Sequence, residues 1–456
     1  MRVRMSSTSR RGFLTTGVVA AVAGLAAACT TPGTSPAAPQ TSAADGPPTE
    51  AQPVQTEVVA GGTTDATPTA LDGSAAATAQ RPGARSLVVL QLSGGHDGLN
   101  AVIPYADGLY YQLRPQIGIA PDKVLQLNDA VGLHPNLTSF KALYDSGQLA
   151  ILQGVGYPNP NRSHFRSMEI WQTARPDGPT PEQGWLGAFL AEIYKTGDSP
   201  FECVNFGASV PQALHTTHAP VAAIQDTSTF QFLVDRRLPS MKDPLLKSFS
   251  QVASRPAQTM PALQLVASTW QATSQGVATL NSLTEKYRAR AQYPNNALGK
   301  TLQQVAQMLS SDTGARVVYL QLGGFDTHAN EKVQHATLMT QLADSLAAFQ
   351  TDLEGQGLAD RVLTMTFSEF GRRVKENGSQ GTDHGAAGPM FVVGKSIKGG
   401  LYGDHPNLSD LDDGDLKFGI DFRSVYASVL EDWLGASAPD LLGGTFDKLN
   451  FVTTSA

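Results

Sequence analysis

The chain has 456 residues, 41% hydrophobic and 16% charged, enough apolar material for a large core or for two domains. A formal charge of −7 argues against nucleic acid as a partner. With only two cysteines, Cys29 and Cys203, there is no disulfide framework and no cysteine-built metal site.

Residues 1–29 read as a targeting segment: Arg2, Arg4, Arg10 and Arg11, no acids, then an apolar run from Gly12 to Ala28 that is short for a span needing about 20 residues. Ser9-Arg10-Arg11-Gly12-Phe13-Leu14 matches the twin-arginine export pattern, so the expected partner is that export machinery and the expected location periplasmic or extracellular. Leu25-Ala26-Ala27-Ala28-Cys29 resembles a lipoprotein processing box, which would put a lipid anchor on Cys29; plain cleavage after a small-residue site is the other reading. Residues 30–84, rich in Thr, Pro, Ala, Gly and Ser, bury too little apolar surface to offset ordering entropy and read as a disordered tether.

Residues 85–456 alternate apolar runs with helical stretches, which predicts a single α/β domain with a mostly parallel central sheet sandwiched between helices. Strands are expected at Ser86–Leu92, Leu149–Val155, Phe201–Phe206, Val317–Leu322, Val362–Phe367 and Met390–Val393. Cys203 falls inside the third as a packing residue. The first strand runs into Ser93-Gly94-Gly95-His96-Asp97-Gly98, where Asp97 either ligates a cation or caps a turn. The second leads to Arg162-Ser163-His164, with Ser163 at the first turn of a helix, as an attacking hydroxyl or as a cap. His215 and His218 lack a third ligand and read as a polar loop over the site; helices are expected over Ala262–Arg288 and Leu298–Leu309.

The fourth run ends in Gly323-Gly324-Phe325-Asp326-Thr327-His328, whose oxygen and imidazole donors suit zinc, manganese or iron; a turn aspartate and a surface histidine are the bland alternative. The next helix carries Leu338, Leu342, Leu346, Phe349 and Leu353 on one face, as core packing. The fifth run emerges as Ser368-Glu369-Phe370-Gly371-Arg372, followed by a glycine-rich excursion holding Asp383-His384. Asp97, Asp326, His328, Glu369, Asp383 and His384 are thus six candidate metal ligands at or near strand ends, where open α/β sheets bind ligands.

The strings SGGHDGLN, NRSHF, GGFDTH, SEFGR and GTDHG, in this order behind a twin-arginine leader, resemble the bacterial family called domain of unknown function 1501, grouped with the alkaline phosphatase and sulfatase superfamily. The resemblance covers about residues 86–435. It implies an alkaline phosphatase/sulfatase-like sheet with one or two divalent metals, zinc or manganese, at the strands' carboxyl ends. It further implies Asp97, Asp326 and His328 as ligands and Ser163 as nucleophile. Ser368-Glu369-Phe370-Gly371 stands where the superfamily has Ser-Asp-His-Gly, so an imidazole is lost unless Asp383-His384 replaces it.

The expected function is an exported metal-dependent hydrolase of phosphate or sulfate esters on small-molecule or polymer substrates. Ser163 would attack, Arg162 or Arg372 would hold the anion, and His164 would serve as acid, base or ligand. A catalytically inactive, surface-tethered binding protein and a carboxyl-ester hydrolase are the alternatives.

Overall fold

The computed structural model describes residues 84–453, apart from 196–197, 226–243, 245–246, 249, 252–275, 277–286 and 312. The leader, Cys29, the tether as far as residue 83 and most of the helix expected over Ala262–Arg288 lie outside the described residues.

Nine strands form one sheet among the described residues: β1 (Ser86–Leu92), β2 (Leu149–Gly156), β3 (Cys203–Phe206), β4 (Ala222–Ile224), β5 (Val317–Leu322), β6 (Val362–Phe367), β7 (Gly388–Val393), β8 (Gly400–Tyr402) and β9 (Ile420–Asp421). Their spatial order is β8-β2-β7-β6-β1-β5-β3-β4, with β9 alongside β2. Only β7 runs antiparallel to its neighbours, β2 and β6; all other pairings are parallel. The carboxyl ends of β1, β2, β5 and β6 therefore share one edge with the amino end of β7.

The strands read as apolar runs because both faces of the sheet are covered. Successive side chains alternate: Val88, Leu90 and Leu92 of β1 enter one core while Leu87 and Val89 enter the other. The first core is closed by α1 (Thr138–Asp145), α4 (Ala297–Leu309) and α5 (Glu331–Gly355), through Phe140, Val305 and the expected stripe Leu338, Leu342, Leu346, Phe349 and Leu353. The second is closed by α2 (His164–Thr173), α3 (Trp185–Ile193) and α6 (Phe422–Ser428), through Trp171, Phe189 and Tyr426. Cys203 is fully buried in β3 and burial pushes its thiol well up, so it is an inert packing residue. No helix among the described residues is long and apolar enough to cross a membrane.

Two glycines shape the shared edge. Gly94 and Gly95 follow β1 at φ +124° and +81°, a region unfavourable to side chains. A Cβ on Gly94 would lie 2.3 Å from the Asp326 backbone nitrogen, and one on Gly95 2.4 Å from the Phe370 ring. Glycine there lets the loops after β1, β5 and β6 close on one another.

Candidate metal centre

Asp326 and His328 follow β5, Glu369 follows β6, His164 opens α2 after β2, and Asp383-His384 precede β7. The fold brings these six together. His164, Asp326 and His384 offer ligand atoms within 4.8 Å of one another. His328 joins them: its Nε2 lies 3.0 Å from His384 Nε2 and 3.0 Å from Asp326 Oδ1. His384 Nε2 is 3.2 Å from the same Oδ1, and His164 Nε2 is 3.5 Å from Oδ2.

The outer nitrogen of each ring is anchored. His164 Nδ1 meets Glu369 Oε1 at 2.8 Å, His328 Nδ1 meets Asp383 Oδ1 at 3.2 Å, and His384 Nδ1 meets the Arg162 carbonyl at 2.8 Å. Each partner accepts only, so each Nδ1 carries the proton and each Nε2 lone pair points inward, tautomers assigned from these contacts. Lone pairs of His164 and His384 and the Asp326 carboxylate thus lie within 4.8 Å of one another, with His328 Nε2 against the last two, a crowding that a cation or a proton would relieve. Metal bonds of about 2.0–2.1 Å put neighbouring donors about 3 Å apart, and a carboxylate or carbonyl behind each ligating histidine is the usual outer support. The donor set fits a divalent transition ion.

This divides the six acids and imidazoles by role. His164, His328, His384 and Asp326 supply inward donors. Glu369, buried and also held by the Gly94 N–H at 2.9 Å, orients His164 instead of facing the centre; Asp383 does the same for His328. Burial alone would raise the Asp326 carboxyl, but the hydrogen bond from Arg372 and the guanidinium charge bring it down to about 2. Phe370, 3% exposed, packs against His164 and His384 with ring centroids 4.9 and 4.6 Å away. It offers no ligand atom and packs against two rings that do.

Other expected residues fall elsewhere. Asp97 does not reach the cluster and does not cap the turn Gly98–Ala101 with its side chain. It forms a fully buried ion pair with Arg114 at 2.6 Å, and Arg114 also bonds the carbonyls of Val374 and Arg373. Burial alone would raise Asp97; the Arg114 charge and a hydrogen bond from Glu331 hold it well below the usual range. Arg162 is taken by Asp415 and Asp413, and Arg372 by Asp326 and four backbone carbonyls, so neither is left to grip an anion. Ser163 is exposed at the N-cap of α2 without a capping hydrogen bond, next to His164. His215 and His218 lie in a loop that borders the adjoining cleft through Gln212.

A second polar group was not legible as a unit. His96, His134 and His335 are buried beside Asp97 and Glu331; His96 and His335 stack at 5.6 Å with both ring nitrogens unpartnered. Burial, then the Asp97 charge, pushes the Glu331 carboxyl up, which favours its protonated form beside Asp97. The available signal was Glu331 and His335 one helical turn apart on the face that continues as Leu338 and Leu342. Burial lowers His96 and His134 to about 4 and His335 to about 3, against the opposing charge of Asp97. The unfolded histidines take up protons near 6.5 while the folded ones do not, so between pH 6.5 and about 4 the unfolded state binds more protons and stability falls with pH. We expect a loss of up to about 1.4 kcal/mol per pH unit for each neutral histidine. Urea midpoints from pH 7 to 4.5 should show it, with a shallower slope in His335→Phe; parallel slopes would contradict the assignment.

No curated protein matches the chain. Among solved structures, it is similar to the PsFucS1 sulfatase from Pseudoalteromonas sp. at 13% identity, covering 82% of this chain and 73% of that one with a TM-score of 0.35. It is similar to the C-terminal periplasmic domain of EcEptC from Escherichia coli, solved in complex with Zn, at 10% identity, 81% and 87% coverage and a TM-score of 0.30. A protein in the alkaline phosphatase superfamily from Vibrio parahaemolyticus matches at 8% identity, 71% and 63% coverage and a TM-score of 0.29. The family model described as "Protein of unknown function (DUF1501)" matches residues 84–438, which takes in every strand-end motif that builds the centre, and the chain belongs to that family.

Proposed function

We propose that the protein is a metal-dependent ester hydrolase acting on phosphate or sulfate esters. The observation that carries this is the gathering of three outer-anchored histidines around Asp326, with an exposed serine immediately preceding His164 in the chain. A divalent ion, zinc or manganese by the donor types, would supply Lewis-acid polarisation of the ester group. Glu369, Asp383 and the Arg162 carbonyl hold the three ring protons outward, which keeps every Nε2 available to the ion. Ser163 Oγ would attack the central atom of the ester and give up its proton to solvent; the alcohol departs, and water releases the serine.

A second reading is a carboxyl-ester hydrolase, favoured by one fact: both expected anion-holding arginines are committed to acceptors inside the protein. An ester panel separates the two. Ser163→Ala should lower turnover of the preferred class by roughly 10³-fold or more at unchanged metal content. Unaltered turnover would remove Ser163 from the mechanism, and a metal-loaded protein that turns over no ester would leave a binding protein of this fold. We further infer export through that machinery from the twin-arginine string, and a lipid on Cys29 from the Leu25–Cys29 processing box, with plain cleavage there as the alternative. Fractionation of cells expressing the full chain with Arg10→Lys and Arg11→Lys tests the route.

A further inference from the structure

A cleft of about 510 Å³ opens beside the centre, with His164, Asp326 and Glu369 on its inner side. Its wall is the first two turns of α2. Phe165 and Met168 lie one turn apart on one face, so the helix that supplies a ligand also presents an apolar pair to the cleft. Phe165 is 86% exposed, the most exposed of the large hydrophobic side chains among the described residues. Large apolar side chains bordering a concave site are a means of binding a ligand's apolar part. The charge of the cleft points the same way. Among the described residues no lysine or arginine lines it; of its acids, Asp326 and Glu369 belong to the centre and Glu169 meets Arg166, which also bonds the Pro176 carbonyl.

We propose that the cleft is the subsite for the organic part of the substrate, and that this part is uncharged and apolar, an aryl or alkyl group seated on Phe165 and Met168. The cleft offers no lysine or arginine to further negative charges, so a polyanionic ester would be a poor ligand. The inference rests on the hydrolase reading for the position of the reacting group, and it assigns Phe165 the role of discriminating among esters.

Calorimetric titration of the metal-loaded full chain with phenylphosphonate, methylphosphonate and pyrophosphate tests it without requiring turnover. The expected result is phenylphosphonate binding about tenfold or more tighter than the other two. Phe165→Ser or Met168→Ser should reduce that preference while methylphosphonate affinity and metal content stay unchanged. Phe165 is exposed, so its loss leaves the core intact. Equal affinity for the two phosphonates, or tighter pyrophosphate binding, overturns the apolar subsite and leaves the hydrolase reading standing. Absence of binding by all three anions overturns both.

Discussion

Arg372→Met is expected to destabilise the protein by about 3–5 kcal/mol, the cost of leaving the acceptors of a wholly buried guanidinium without a donor. The Arg372 side chain is wholly buried. Its Nε donates to the Gly95 carbonyl at 2.7 Å and Nη1 to Thr382 at 2.8 Å; Nη2 reaches Phe325 at 3.0 Å, Asp326 Oδ1 at 2.6 Å and the Gly94 carbonyl. One guanidinium thus ties the loops after β1 and β5 to the segment that carries Asp383 and His384. Removing it strands carbonyls of the buried residues Gly94, Gly95, Phe325 and Thr382 and frees the half-exposed Asp326 carboxylate to swing away from the centre. Arg372→Lys keeps the charge but not the fork of donors, so it should recover only part of the loss. Urea unfolding checks this; a change below about 1 kcal/mol in Arg372→Met would show that the network is not cooperative.

The second large effect is on metal affinity. Glu369→Gln leaves the fold able to close but replaces the carboxylate behind His164, so affinity should fall by about 10–100-fold. His384→Ala removes an inward donor and should cost more than that. His384 is only partly buried, so the variant should fold. Chelator competition followed by zinc uptake would measure both. An unchanged affinity in His384→Ala, or a larger loss in Glu369→Gln than in His384→Ala, would reverse the roles given to these residues.

Much of the frame was legible in the chain. Ser86–Leu92, Val317–Leu322 and Val362–Phe367 are strands at the predicted bounds, because a strand buried on both faces must be apolar at nearly every position. The α4 helix begins one residue earlier than expected, capped by Asn296, whose side chain accepts from the Gly299 N–H. The position of the site followed from the same logic, since strand ends gather whatever the loops carry. The division of labour within it did not. Asp97 looked like a ligand because no local pattern shows that Arg114, 17 positions on, folds back to pair with it. Glu369 and His164 were both donors on paper; only the 2.8 Å contact from Nδ1 shows that one orients the other. Arg372 looked like an anion contact because burial of a guanidinium is decided by three loops distant in sequence. Phe370 stood out as a missing ligand, and its contribution, packing two histidine rings, depends on neighbours that sequence order conceals.

The central claim is that His164, Asp326, His328 and His384 form one transition-metal site, and elemental analysis of the purified full chain tests it most directly. The account predicts about one equivalent of tightly held zinc or manganese, removed by a strong chelator with a fall in melting temperature and missing from His384→Ala. A wild-type chain that holds no transition metal after incubation with either ion, and whose melting temperature is indifferent to both, would contradict it.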